Sequence, residues 1–480
     1  MVSQRIAVGV VFVMAMFMAI MDTTIVNVAV PTLARDFHVR ATSVDVVVVA
    51  FLVSLAVSIP ASGWLSDRVG AKRVLLVAVG VFTAASALCG VAQTLPELVA
   101  FRVVQGVGGG MLTPVGMAML YRTFPQEERI RTSRILVIPT AFAPALGPIV
   151  GGVLVTELSW RWVFYVNLPI GMAALCFGAA FLNEQREPCS GRLDTAGLAL
   201  SGAGFGALMF AVTEGPARGW LSTPIIGAGI AGVALIAALI LVELSVPQPM
   251  IDLRLFADRL FRTGVLIIFL GTMTFLGVLY VVPLLYQDGF GTSALVSGLS
   301  TFPEAIGVML GAQVATRLYA RVGPRRIIAG GLSGIAVVTL SMGTVGAGSA
   351  ALWEMRGLLL LLGCAMGHVF APCQTAAFAT ISGQATARAS TLYNAMRQLG
   401  SAVGVAFLST VMDSAGTARE LGHPVRANLT AYHLAFATAS VVALIAGAIA
   451  LTIRDEDAVA TMRRGEDRGL PSRPLRRAAR

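Results

Sequence analysis

Long apolar runs separated by short polar breaks dominate the chain from its first residues. A helix needs about 20 consecutive apolar residues to cross the hydrocarbon core of a bilayer. On that rule fourteen segments qualify: 7–30, 44–65, 74–93, 98–121, 135–156, 162–183, 195–213, 223–244, 263–286, 294–316, 327–347, 355–378, 390–412 and 431–453. The segment at 195–213 is short and Gly-rich. The first run carries Asp22 and Asn27 and is followed by no small-residue cleavage site, so it reads as a spanning helix and not a signal peptide. The fold expected is an all-α integral membrane protein.

Charge in the breaks sets the expected orientation. With the N-terminus inside, Arg5, 66–73, 122–134, 184–194, 245–262, 317–326, 379–397 and 454–480 hold 27 Lys and Arg, against 7 in the outer loops. Arg102 alone stands inside a predicted helix. Basic residues concentrate on the cytoplasmic side of membrane proteins, so both termini are placed in the cytoplasm and the protein in the cell membrane. The five tryptophans, Trp64, Trp160, Trp162, Trp220 and Trp353, fall at predicted helix ends, as an interfacial aromatic belt requires.

Composition agrees. Only 12% of the 480 residues are charged, about half the share in soluble domains. The net charge of +10 lies in short loops and a tail, which points to anionic lipid headgroups as partners and not to nucleic acid. Five cysteines with no CxxC or Cys/His spacing suggest neither disulfides nor a metal site. GVGGG (106–110) lies inside an apolar segment with no strand before it, so no dinucleotide site is expected.

The chain echoes itself. RVGAKR (68–73) follows the second segment, and RVGPRR (321–326) follows the tenth, 253 residues later. Two six-helix halves with two helices spliced between them explain the interval, and repeated halves typify secondary transporters. The expected organisation is a first half over 1–190, an inserted pair over 191–250, a second half over 251–455 and a disordered basic tail over 456–480.

In GWLSDRVGAKRV (63–74), Gly63 and Gly70 permit tight turns. Asp67 can pair with Arg68, Lys72 or Arg73, or cap the following helix, forming a latch that breaks when the inner side opens; the alternative is that these charges only set topology. This spacing resembles the signature loop of the major facilitator superfamily. FRVVQGVGGG (101–110), with Arg102 and Gln105, resembles that superfamily's motif in its fourth helix. APALGPIVGG (143–152), with Gly147, Pro148, Gly151 and Gly152, resembles the fifth-helix motif that marks antiporters. MDTTIVNVAVP (21–31), WRWVFYVNLPIG (160–171), PMIDLRLF (249–256) and YNAMRQLGSAVG (393–404) resemble signatures of the fourteen-helix drug:proton antiporters of the EmrB/QacA type. The resemblance implies efflux of lipophilic, often cationic, compounds by alternating access, driven by the proton gradient without a cofactor, from a chain acting as a monomer.

Within that frame the buried charges stand out. A carboxylate at mid-membrane costs about 2.5–3.5 kcal/mol on insertion scales. Asp22 and Arg102 sit in the outer halves of their helices and can face each other, either as a proton-responsive pair or as a fixed structural one. Glu304, just after Pro303 and with no charge within a helical turn, is a candidate proton or substrate-cation site, or a carboxylic acid bonded to another helix. Arg397 shares a helix face with Asn394 and Gln398, where gating and snorkelling compete. His368 can titrate or stay neutral. Asp45 and Asp413 lie near outer helix ends. Asn27, Gln105, Phe275, Tyr280 and His368 are the candidates for lining a drug cavity with Glu304; Phe12 and Phe17 are weaker ones. Two departures from the family pattern are visible. Phe51 stands where a tyrosine is expected, and Ala320 stands where the second loop should match Asp67, so the inner latch should be asymmetric between halves. The rival readings are an exporter of one endogenous lipid or secreted metabolite and, more remotely, a membrane sensor or enzyme. No nucleophile–base set or appended signalling domain supports the last.

Overall fold

The computed structural model describes residues 3–39, 41–124, 128, 142–143, 146–147, 149–185, 194–246, 249, 251–292, 294–346, 350–415 and 428–462. Every regular element among them is helical, as lipid demands of a chain whose backbone groups must bond within their own segment. The first half runs through α1 (Gln4–Asp36), α2 (Ala41–Val69), α3 (Ala71–Val91), α4 (Leu95–Thr123), α5 (149–157), the short α6 (Trp162–Tyr165) and α7 (Asn167–Phe181). Then come α8 (Thr195–Arg218) and α9 (Thr223–Ser245). The second half contains α10 (Arg259–Leu284), α11 (Ala294–Val322), α12 (Pro324–Met342), α13 (Ala351–Ala377), α14 (Thr386–Ser414) and α15 (Leu429–Ala450).

Eleven helical spans among the described residues are long and apolar enough to cross a membrane. Helices α11 and α14, 29 residues each, are as long but more polar. The predicted segment 135–156 lies mostly outside the described residues. Several helices overrun the predicted bounds because polar ends continue the turn: Asp36 closes α1, and Val69 closes α2 beyond Asp67 and Arg68. Caps hold the entries. Thr94 accepts from Glu97 N while the Glu97 carboxylate accepts from Gln93 N, and Asp258 accepts from Phe261 N at the start of α10.

Small residues bring helices together. A Cβ on Gly106 or Gly110 of α4 would meet the backbone of α2 at Phe51 and Leu55. In the second half, Gly363 and Gly367 of α13 lie equally close to α11, and Gly400 and Gly404 of α14 to α10. Packing without a hydrophobic drive relies on such approaches.

The spliced pair covers a seam. Val57 of α2 lies against Gly202 and Gly206 of α8, and Trp220, just past α8, donates from Nε1 to Thr410 Oγ1 of α14 at 2.8 Å. Helix α9 packs on α8, with Leu208 against Gly232, and is largely exposed at the rim.

Two expectations change. Trp160 is no belt residue. It is 1% exposed, packs on Phe37 and Phe164 and donates to Asp36 Oδ2 at 2.7 Å, so its ring is buried while its indole N–H finds an acceptor at the helix end. The tail expected to be disordered from residue 456 begins ordered: Asp455–Ala458 and Val459–Met462 are helical turns, and Thr461 hydrogen-bonds Tyr319 of α11 at 3.1 Å. Residues 463–480 lie outside the described residues.

Candidate functional site

Asp22 on α1 and Arg102 on α4 meet inside the first half, both 0% exposed. Arg102 Nη1 donates to Asp22 Oδ2 at 2.5 Å and to Gln105 Oε1 at 2.8 Å. Asp22 Oδ1 accepts from Gln105 Nε2 at 2.9 Å and from Asn167 Nδ2 of α7 at 3.0 Å. Ser86 Oγ of α3 accepts from those same two amides at 3.2 and 3.1 Å and donates to Phe164 O at 2.8 Å. Phe51 of α2 lies under the guanidinium, 4.1 Å from ring centroid to Cζ. Such a contact adds about 2 kcal/mol or more when desolvated. Two amide donors and one cation, from α4 and α7, therefore surround one buried carboxylate of α1.

The helices explain the convergence. Gln105 follows Arg102 by three residues, which puts both on one face of α4. Gly106 lets that face close on α2. A Cβ on Gly147 would strike Thr24 Oγ1, and one on Gly151 would come 2.9 Å from Ile25, so α5 lies against the turn of α1 after Asp22. Gly152 faces open space. Pro148 and the side chain of Asn27 lie outside the described residues, as does the side chain of Asp45.

The signature loop is built differently from the sequence expectation. Asp67 receives Arg122 Nη2 of α4 at 2.7 Å, with the two side chains 5% and 9% exposed. It does not cap α3, whose N-cap is Gly70 with φ 111° and no side-chain bond. That cap comes from Glu184, beyond α7: its Oε1 accepts from Lys72 N at 2.9 Å, and its Oε2 lies 3.7 Å from Arg73 Nε. Lys72 Nζ donates to Ala179 O, and Arg68 is exposed. The second half repeats the device. Gly323 has φ 85°, and Arg325 N donates to Asp455 Oδ1 at 2.9 Å. Where Ala320 replaces the aspartate, the loop keeps its carboxylate cap from a residue far along the chain.

These charges tie each half to itself. Among the described residues, the hydrogen bonds between halves near the signature-loop end are neutral. Ser62 and Thr391 hydroxyls lie 3.3 Å apart, Ser390 Oγ donates to Pro114 O at 2.8 Å, and the Gln374 and Asn394 amides reach Met117 Sδ at 2.5 and 3.8 Å. A Cβ on Gly63 would come 2.6 Å from Thr391 Oγ1.

The remaining candidates separate. Glu304 is 5% exposed and makes no hydrogen bond or ion pair with the described residues. The partly buried Arg397 side chain also has no such partner among the described residues. On α14 it falls between Ser390 and Asn394, which touch α4, and Gly400 and Gly404, which touch α10, so it points to the junction of the halves. Phe275 is buried edge-on to Phe370 of α13. His368 Nδ1 bonds Cys364 O in its own helix at 2.8 Å, and its Cβ faces Gly331 of α12. Neither is brought together with Gln105, which belongs to the Asp22 network. Tyr280 is 39% exposed, and Phe12 is buried against Gly116. Asn167, Ser86, Arg122, Glu184 and Asp455 were given no role by sequence reasoning. Asn167 had a signal, an asparagine in an apolar run of WRWVFYVNLPIG. Ser86 had none. No group of three or more metal-ligating side chains occurs among the described residues.

The comparisons with known proteins agree with this architecture. A family profile described as Major Facilitator Superfamily matches residues 12–405. The chain is 34% identical over 408 residues to the Multidrug resistance protein B homolog of Mycobacterium tuberculosis (strain H37Rv), covering 84% of this chain and 75% of that one. It is 31% identical over 401 residues to the Multidrug export protein EmrB of Haemophilus influenzae, covering 83% and 78%. It is also 31% identical over 420 residues to the Putative multidrug resistance protein MdtD of Serratia proteamaculans, covering 88% and 87%. Among solved structures, the human organic anion transporter MFSD10 superposes with a TM-score of 0.66 at 17% identity, over 94% of this chain and all of that one. The proton:xylose symporter XylE superposes with a TM-score of 0.62 at 16% identity, over 92% and 95%. With many long apolar helices and these relatives along most of its length, the chain is a multi-pass membrane transporter that belongs to the major facilitator superfamily, alongside its EmrB- and MdtD-named members.

Proposed function

We propose that this transporter exports lipophilic, cationic drugs or toxic compounds in exchange for protons. It would do so through fourteen spanning helices, as a monomer, with both termini and the signature loops in the cytoplasm of the cell, and with no cofactor. One observation carries the reading: a fully buried carboxylate, Asp22, held by Arg102 and by two amides that can only donate to it. An ionised Asp22 satisfies all three donors. A protonated one keeps a single good acceptor oxygen, cannot match the arginine's charge and leaves it uncompensated in the membrane. Taking up a proton therefore biases the first half toward another arrangement, and a differential interaction of that kind is what couples a gradient to a conformational change. Glu304, buried, and Arg397, partly buried, have no ion-pair partner among the described residues of the second half, and they would supply charge for a cationic substrate and for its release.

The test is efflux of ethidium from cells lacking their own pumps, at matched expression, with and without a protonophore. Protonophore-sensitive efflux by the wild type that is lost in Asp22→Asn supports the reading. Efflux that Asp22→Asn retains in full overturns the coupling role. No efflux of any lipophilic cation by the wild type favours the narrower exporter of one lipid or secreted metabolite.

A further inference from the structure

The two halves answer the same arginine in different ways. The repeated loops are 253 residues apart, and the packing keeps that register. In the first half Arg102 Nε donates to Val47 O at 3.4 Å. In the second, Arg356 of α13 donates from Nε and Nη2 to Ser300 Oγ of α11 at 3.1 and 2.9 Å. Val47 and Ser300 are 253 residues apart, and Arg102 and Arg356 are 254 apart. The backbone contacts match on the second helix and slip by about a turn on the fourth: Gly106 of α4 meets Phe51 O and Gly363 of α13 meets Glu304 O, so the glycines are 257 apart and Arg356 enters about one turn earlier on its helix than Arg102 does. An arginine from the fourth helix of each half thus reaches the same turn of the second helix.

The acid has moved. In the first half it is Asp22, on the first helix, while the second helix offers Phe51 beneath the guanidinium. At the matching positions of the second half, the first helix offers only Phe275 and Leu276, and the place of Phe51 is taken by Glu304. Glu304 is one turn from Ser300 on the same face of α11, so their Cβ atoms are about 5–6 Å apart. The Arg356 guanidinium bonds the Ser300 hydroxyl one turn before that carboxylate, within the span a long arginine side chain can cover by changing rotamer. Two further buried polar atoms, Ser297 Oγ one turn earlier on α11 and Tyr286 Oη at the end of α10, have no hydrogen-bond partner. Among the described residues packed on this turn, the charged or titratable groups are Arg356 and Cys364 of α13 and Tyr286 in the turn after α10.

We propose that Glu304 and Arg356 form a second, transposed ion pair, open in this structure, which is made and broken by a proton on Glu304. Arg356 rests on Ser300 while the carboxyl holds its proton, and swings to the carboxylate when that proton leaves to water. The consequence for transport rests on the antiport reading above; the pair itself does not.

The pair is tested on the purified full-length protein with dicyclohexylcarbodiimide, which modifies protonated carboxyls in apolar surroundings, by mass spectrometry of the peptide carrying residue 304. Wild type is expected to label at low pH and to lose labelling as pH rises and Arg356 claims the anion. Arg356→Gln should keep the label into the alkaline range, at least about threefold above wild type at roughly pH 8. Arg356→Lys should follow wild type, and Glu304→Gln should not label. An Arg356→Gln profile that coincides with wild type would overturn the proposal, since a merely structural bond to Ser300 leaves the carboxyl indifferent to Arg356. Absence of Glu304 labelling at every pH would overturn it too. Neither result depends on whether ethidium is exported.

Discussion

Replacing Asp22 by asparagine is the sharpest perturbation of the buried network, and its cost follows from the donors around it. Oδ1 accepts from Gln105 and Asn167, and Oδ2 accepts from Arg102. An asparagine presents one oxygen and one NH2. With its oxygen toward the amides, the NH2 faces Arg102; turned around, it faces two amide donors. Gln105 cannot flip to help, because its Oε1 already accepts from Arg102. One donor is therefore left facing another donor, and Arg102 is left charged in a dry interior. Breaking a buried pair from one side costs about 3–5 kcal/mol. Arg102→Gln leaves the mirror defect, reduced because Asp22 keeps two neutral donors. The double variant removes both charges, and its two amides can bond each other. It should recover about 1–3 kcal/mol of the summed single losses, the coupling expected of residues in one hydrogen-bonded ion-pair network. The assay is thermal unfolding of the detergent-solubilised protein for wild type, both singles and the double. Additive losses, with the double as unstable as the two singles combined, would refute the reasoning and leave Asp22 and Arg102 as neighbours without coupling.

Further outcomes follow from the same packing. Asn167→Leu removes a donor from both Asp22 and Ser86 and should destabilise by about 1–3 kcal/mol, with ethidium efflux falling together with the melting temperature. Gly70→Ala and Gly323→Ala each place a Cβ at positive φ against the capping carboxylate, Glu184 or Asp455. Each should cost about 1–3 kcal/mol, and equal losses in the two halves would bear out the repeated cap. A charge reversal, Asp67→Arg with Arg122→Asp, should restore thermal stability lost in either single variant; no restoration would remove the pair as the clasp between α2 and α4.

The helices and the repeat were legible because lipid imposes a length on every apolar run and because RVGAKR and RVGPRR mark the register. The pairing of Asp22 with Arg102 was legible for a related reason: few charges lie at membrane depth, and these two sit at similar depths. What escaped were partners supplied from a distance. Glu184 and Asp455 cap helices that begin more than a hundred residues earlier, and nothing local to either acid shows which backbone N–H it will meet. Arg122 looked like a topology charge because it lies in a basic stretch, yet one turn of helix carries it under α2 to Asp67. Ser86 is one hydroxyl in an apolar run, and only the crossing of α3 with α4 and α7 gives it two amides. Ala320 suggested an asymmetric latch. The loop cap is symmetric after all, and the Asp67–Arg122 clasp is what the second half lacks, with Thr375 and Ala376 where Arg122 would repeat.

That distribution of charge has a consequence for how the halves part. Asp67–Arg122, Glu184 and Asp455 bind elements of one half, so they stiffen each half as a body, while among the described residues the bonds between halves at the signature-loop end are hydroxyl and thioether contacts. Neutral, small contacts are weak enough to be remade in every cycle, whereas a buried interhalf ion pair would cost several kcal/mol each time it opened. Closure instead depends on fit, and Gly63 sets that fit: a Cβ there would stand 2.6 Å from Thr391 Oγ1 and 3.1 Å from Ala387 O. Gly63→Ala should therefore wedge this end open. Overpacking costs about 1–3 kcal/mol, which shifts the equilibrium between closed and open roughly 5- to 150-fold. In a background without native cysteines, Ser390→Cys reports the change through its rate of reaction with a maleimide, since Ser390 is buried at the seam. Labelling should accelerate in Gly63→Ala and fall back part of the way when Thr391→Ala removes the opposing hydroxyl, with the Ala387 carbonyl still in place. Unchanged labelling would mean that the seam tolerates the methyl and that closure is held elsewhere, with the buried charges the next place to look.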